Sequence, residues 1–118
     1  MPIRQEPLTI DDVPGISEGE RVLKLNGPLV MSNLFDFQAK IRADQSHRLI
    51  VDFTNVPYVD SAGIGALVGA YVTHQKGGRT LALVGVNERV FNALKVTHVE
   101  NFFRFFDTLD AAQKTLAS

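Results

Sequence analysis

Hydrophobic and polar positions change their period several times along these 118 residues. Leu49-Ile50-Val51-Asp52-Phe53 and Leu81-Ala82-Leu83-Val84 are short, nearly unbroken apolar runs, the pattern of strands covered on both faces. Around them, apolar residues recur three and four apart, which predicts four helices. The first carries Leu34, Phe37 and Ile41 behind a candidate cap at Ser32, and the second runs over 61–75 with Ile64, Leu67, Val68 and Tyr71 on one arc. The third carries Val90, Phe91 and Leu94 behind Asn87, and the last carries Leu109, Ala112 and Leu116 behind Thr108. Gly77-Gly78 supplies a left-handed stop for the second helix. Strands at roughly 3–10 and 21–26 and a phenylalanine-rich strand over 102–106 complete the pattern. Asp11-Asp12-Val13-Pro14-Gly15 and Glu18-Gly19-Glu20 read as turns beside the two early strands. The adjacent carboxylates Asp11 and Asp12 are accordingly read as turn residues, not as an acid/base couple. Strands alternating with helices predict an α/β fold, a mixed, mostly parallel sheet of about five strands with about four helices packed on it.

Composition narrows the class of function more than it alters this outline. The length suits a single domain over 1–118, and 45% hydrophobic with 21% charged residues is ordinary for a globular protein. No apolar stretch approaches the roughly 18 residues of a spanning helix, and Met1-Pro2-Ile3-Arg4-Gln5-Glu6 carries no apolar signal region. The expectation is a cytoplasmic protein without membrane insertion. Twelve Lys plus Arg against thirteen Asp plus Glu leave a net charge of -1, with no basic run to follow a phosphate backbone, so no direct nucleic-acid partner is expected. The absence of cysteine removes disulfides, thiolate metal sites and thiol catalysis together. His47, His74 and His98 lie far apart without ligand spacing and read as scattered surface histidines; no metal or cofactor is expected. The phenylalanines read as core, because Arg104 alone does not supply the charge that a base-stacking row requires.

The segment Tyr58-Val59-Asp60-Ser61-Ala62-Gly63-Ile64-Gly65 holds the candidate chemistry. Opposite the apolar arc of the second helix lie Ala62, Gly65, Ala66, Gly69 and Thr73, all small. An interior glycine costs a helix about 1 kcal/mol relative to alanine, so the stripe calls for a reason. Two are open: close packing against another helix of the same domain, or a flat docking face for a second macromolecule, a further copy of this chain included. Asp60 and Ser61 are both good N-caps, yet a helix has one cap position, so one oxygen-bearing side chain is left over. If that side chain is Ser61, it has three readings. A nucleophile elbow requires Gly-x-Ser-x-Gly, and Val59 stands at the first glycine. A dinucleotide loop requires Gly-x-Gly-x-x-Gly, and Gly63, Gly65 and Gly69 miss the last spacing by one residue. The third reading is phosphorylation, which would set a dianion at a helix start that tolerates it and beside a face that a partner would have to desolvate.

Asp60-Ser61-Ala62-Gly63-Ile64-Gly65 resembles the Asp-Ser-Ser/Thr-Gly-Leu/Ile-Gly signature of STAS-domain proteins, the family of bacterial anti-sigma factor antagonists. Gly27-Pro28-Leu29 after the second strand and the phenylalanine-rich last strand are similar as well. The resemblance implies a non-enzymatic protein with Ser61 as phosphoacceptor and a partner-binding surface of Asp60, Ala62, Gly63, Gly65, Ala66, Gly69 and Thr73. It implies partner switching: the unphosphorylated antagonist captures an anti-sigma factor serine kinase, phosphorylation by that kinase with ATP releases it, and a PP2C-type phosphatase restores it. Ala62 stands where the signature has its second hydroxyl, and Val30 stands where many phosphorylated members carry an acidic residue. The alternative within the same resemblance is a STAS regulatory subunit of a lipid-transporting ABC system. Outside it stands a small hydrolase acting through Ser61.

Overall fold

A computed structural model describes residues 7–116 of the chain. Five strands, β1 (Thr9–Pro14), β2 (Glu20–Asn26), β3 (Arg48–Asn55), β4 (Thr80–Val84) and β5 (Arg104–Phe106), form one sheet in chain order. β1 and β2 pair antiparallel; every later neighbour is parallel. Three helical connections join the parallel strands: α1 (Phe35–Ala43), α2 (Ser61–Lys76), and α3 (Glu88–Val96) followed by a 3-10 turn at Glu100–Phe102. A steady strand order with crossovers of one hand sets these helices on one side of the sheet. The larger core lies there, with Leu23, Leu49, Val51, Phe53 and Leu83 beneath Phe37, Ile41, Leu67, Val90 and Leu94. The terminal helix α4 (Leu109–Leu116) covers the other side, where Ala112 and Leu116 pack on Val22, Ile50, Ala82 and Val84. The mixed five-stranded sheet with four α-helices is the architecture that the periodicity predicts.

Several local expectations change. β1 starts later than predicted and contains Asp11 and Asp12, so these are strand residues; residues 3–6 of the predicted strand lie outside the described residues. Edge position and cross-strand partners explain the difference. Asp11 accepts from the Asn26 side chain at 3.3 Å, and Asp12 accepts from Arg21 Nε at 3.1 Å and Lys40 Nζ at 3.3 Å. Burial pushes the Asp12 carboxyl upward, but the hydrogen bonds and charges of Arg21 and Lys40 outweigh it and hold the group below the ordinary aspartate range. The turn falls at 15–19, where Gly19 has φ of 80°; the predicted turn thus holds at Glu18 and Gly19, while Glu20 opens β2. α1 begins with Leu34 at its cap position and no side-chain cap, so Ser32 belongs to the preceding turn. The last strand is shorter than predicted because Glu100–Phe102 coil into the 3-10 turn.

His74 is not a surface histidine. It is 1% exposed, with Nδ1 2.9 Å from the Ala70 carbonyl and Nε2 3.2 Å from the Asp44 carboxylate, which also accepts from Ser46. A polar ring enters a core stripe when each polar atom has a partner, and here it ties the end of α2 to the residue that follows α1. His47 and His98 are exposed, as expected. The phenylalanines divide: Phe37, Phe53 and Phe103 are buried, whereas Phe35, Phe91 and Phe102 show large apolar surface.

Candidate functional site

Three loops meet beyond the carboxyl ends of the parallel strands, the usual place for function in such sheets. Hydrogen bonds fasten each to the loop after β3. Leu29, after β2, bridges Val59; its amide donates to the Tyr58 carbonyl and its carbonyl accepts from the Asp60 amide, each at 3.3 Å. Asn87, after β4, donates its side-chain amide to the carbonyls of Val56 at 3.1 Å and Pro57 at 3.2 Å. Its own Oδ1 accepts from the Val90 amide at 2.8 Å, so one residue caps α3 and braces its neighbour.

Asp60 is the cap of α2. Its Oδ1 accepts from the Gly63 amide at 2.8 Å and its Oδ2 from the Met31 amide at 3.0 Å. One carboxylate thus satisfies an orphan amide of the helix and pins the loop that leads to α1. Ser61 is the first helical residue and is exposed, its hydroxyl released from any capping duty.

The small residues of α2 fall into two groups. Gly63 is buried, and a Cβ there would stand 2.1 Å from the Leu29 carbonyl oxygen; its smallness serves a close crossing of two loops. Ala66 is buried at the side of α1 and belongs to the core. A Cβ at Gly65 or Gly69, by contrast, would meet nothing within 4 Å. Among the described residues no neighbour requires these two to be glycine, so packing within the described fold accounts for Gly63 and Ala66 but not for them. Of the predicted surface, Gly65, Gly69 and Thr73 are exposed, Asp60 and Ala62 are half-buried, and Gly63 and Ala66 are withdrawn from solvent. Within the predicted apolar arc, Ile64 and Leu67 are buried while Val68 and Tyr71 are half-covered; Tyr71 stacks on Phe102 at 5.2 Å.

Periodicity missed the apolar residues around this face. Met31 is 68%, Phe35 73% and Val96 77% exposed. The signal was there: at about 100° per residue, Phe35 falls off the stripe of Leu34, Phe37 and Ile41, and Val96 falls off that of Val90 and Leu94. Phe35 shares its side of α1 with Gln38 and Arg42, which border a groove against Gly65, Gly69 and Thr73. Val96 lines a shallow groove on the other side of α2 with Ser61, Arg89 and Asn92. Ser61 therefore stands at the head of a low, smooth ridge flanked by exposed apolar side chains. Both Asp60 oxygens are engaged with amides, and His74 lies near the far end of α2 with both ring nitrogens hydrogen-bonded, so neither stands as a base beside Ser61.

Comparison with known proteins identifies the family and the fold. The family model described as the STAS domain matches residues 9–112. An anti-sigma-B factor antagonist of Staphylococcus epidermidis is 26% identical over 101 residues, spanning 86% of this chain and 90% of the relative. Among solved structures, an anti-sigma factor antagonist from Mycobacterium paratuberculosis superposes with a TM-score of 0.80 at 20% identity, covering 95% of this chain and 96% of that one. A candidate anti-sigma factor antagonist from Thermotoga maritima gives a TM-score of 0.83 at 20% identity, covering 92% and 95%. With a motif at the head of α2, a strand order and a family match that coincide, the chain belongs to the STAS domain family.

Proposed function

We propose that this protein is an anti-sigma factor antagonist that works by partner switching, with Ser61 as the phosphorylated residue and the exposed side of α2 as the docking face. It is a binding module, and the chemistry is done to it. The observation that carries the reading is the division of labour at the head of α2: Asp60 takes the cap, so an exposed serine stands beside glycines that no contact among the described residues requires. The role of the curated relatives and the match over residues 9–112 support it.

The unphosphorylated face offers a partner a bare helix with few long side chains to immobilise. The partner in this reading is an anti-sigma factor that is also a serine kinase. In the modifying step the Ser61 oxygen attacks the γ-phosphorus of ATP. The O–P bond to serine forms, the bond from that phosphorus to the bridging oxygen of ADP breaks, ADP departs, and the serine proton passes to a base of the kinase. The phosphoryl group adds about -1.5 to -2 charges beside Asp60, and burying that charge under a partner is costly. A PP2C-type phosphatase reverses the step by hydrolysis. Since the added group projects from a residue whose main chain is already fixed by its neighbours, binding is switched without unfolding.

The test is a pull-down from the native host with wild-type, Ser61→Ala and Ser61→Asp protein. Capture of one ATP-binding anti-sigma factor by wild type and Ser61→Ala, with loss in Ser61→Asp, is the expected result. Equal capture by all three, or stable recovery of a transporter ATPase indifferent to Ser61→Asp, overturns the proposal.

A further inference from the structure

Arg89 lies across the α2–α3 groove from Ser61 and is committed to neither core nor ion pair. It occupies the first turn of α3, is exposed, and holds its guanidinium over the Tyr58 ring at 4.8 Å from the ring centre. Tyr58 belongs to the loop that delivers Ser61 to α2, and the Asn87 side chain fixes that loop to the start of α3 through Val56 and Pro57. Among the described residues Arg89 has no carboxylate within salt-bridge distance, unlike Arg21, Arg48 and Arg79. Ser61, Arg89 and Asn92 line one groove. A ring face under the guanidinium limits its wandering while leaving its N–H edge free to donate.

We infer that Arg89 receives the phosphoryl group of phosphorylated Ser61 within the same molecule. The inference rests on the reading of Ser61 as the phosphosite and adds the residue that reads the modification. Arginine matches phosphate with two parallel N–H donors, and the Asn92 side-chain amide adds a further donor from the same wall. Asp60 repels the same dianion from the cap position, and a facing cation offsets that repulsion beyond what the helix start itself supplies. Pairing draws the phosphoserine toward α3 and lays it across the groove that Val96 borders. The modification then covers part of the docking face as well as charging it.

The test uses full-length protein with phosphoserine placed at position 61 by an expanded genetic code, which needs no native kinase, and follows its 31P resonance through a pH titration. A phosphoserine second ionisation lies near pH 6, and an opposite charge in hydrogen-bond contact lowers it. The wild-type group is expected to ionise at a pH lower by about half a unit or more than in Arg89→Gln, with Arg89→Lys in between. Arg42→Gln, which removes an equal charge on the α1 side, is expected to leave the wild-type midpoint in place. The same midpoint in wild type and Arg89→Gln, or an equal shift in Arg42→Gln, overturns the inference. Because Arg89 is exposed, matching circular dichroism and melting of the unphosphorylated variants confirms that the comparison is between folded proteins. The pull-down does not depend on this result: it fails if Ser61 does not govern capture, whereas the titration fails if Arg89 does not meet the phosphate.

Discussion

At the scale of single residues, the two kinds of glycine in α2 make opposite predictions. Gly63→Ala forces a methyl group toward a carbonyl oxygen that the loop after β2 cannot easily move, and is expected to cost about 2 kcal/mol or more in urea unfolding. Gly69→Ala meets open space and gains helix propensity, so it is expected to stabilise by about 1 kcal/mol. If the exposed side of α2 is the docking face, Gly69→Leu should keep that stability and lose partner capture in the pull-down. Equal destabilisation at positions 63 and 69 would refute the division between a structural and a surface glycine. The sequence marked both as small residues on one helix. It did not distinguish them, because the difference lies in a carbonyl more than thirty positions earlier in the chain.

At the scale of elements, most of the pattern was legible, and the misplacements share a cause. Central strands β3 and β4 are buried on both faces and announce themselves as apolar runs; β1 is an edge strand whose Asp11 and Asp12 find partners only after β2 lies beside it. His74 was unreadable for the same reason, since its partner Asp44 comes from another element. The caps of α3 and α4 were legible because capping is local, and for α2 the sequence narrowed the choice to Asp60 or Ser61 without deciding it; Asp60, Asn87 and Thr108 each serve an amide three residues ahead. Asn87 tests how firmly elements are joined at the site. Asn87→Asp retains an acceptor for the Val90 amide but loses the donor to Val56 and Pro57, whereas Asn87→Ala loses both. The expected order of melting temperatures is wild type, then Asp, then Ala, with the alanine variant about 1 to 2 kcal/mol less stable. Faster amide exchange at residues 58–61 in both variants would show that the α3 cap also steadies the approach to Ser61.

At the scale of the whole molecule, the sheet separates two cores, the larger under α1, α2 and α3 and the smaller under α4. On the α1 side, the edge strand is held by Asp12 between Arg21 and Lys40. A carboxylate whose folded pKa lies below its unfolded value contributes stability above the unfolded pKa and loses it as pH falls through the folded one. Wild type should therefore lose stability relative to Asp12→Asn as pH drops from about 5 toward 2, and the two urea curves should converge at the acid end. The group is partly solvated, so the difference at neutral pH should be under about 1 kcal/mol. A gap independent of pH would remove the ion pair from the account. On the opposite side, α4 closes the chain over the sheet, with the Gln113 amide reaching back to Glu20 at 3.1 Å. A practical freedom comes with that placement. The exposed amine of Lys114 lies on the reverse of the sheet from Ser61, so a probe, bead or chip coupled there leaves the ridge of α2 turned outward and accessible to whatever is offered in solution.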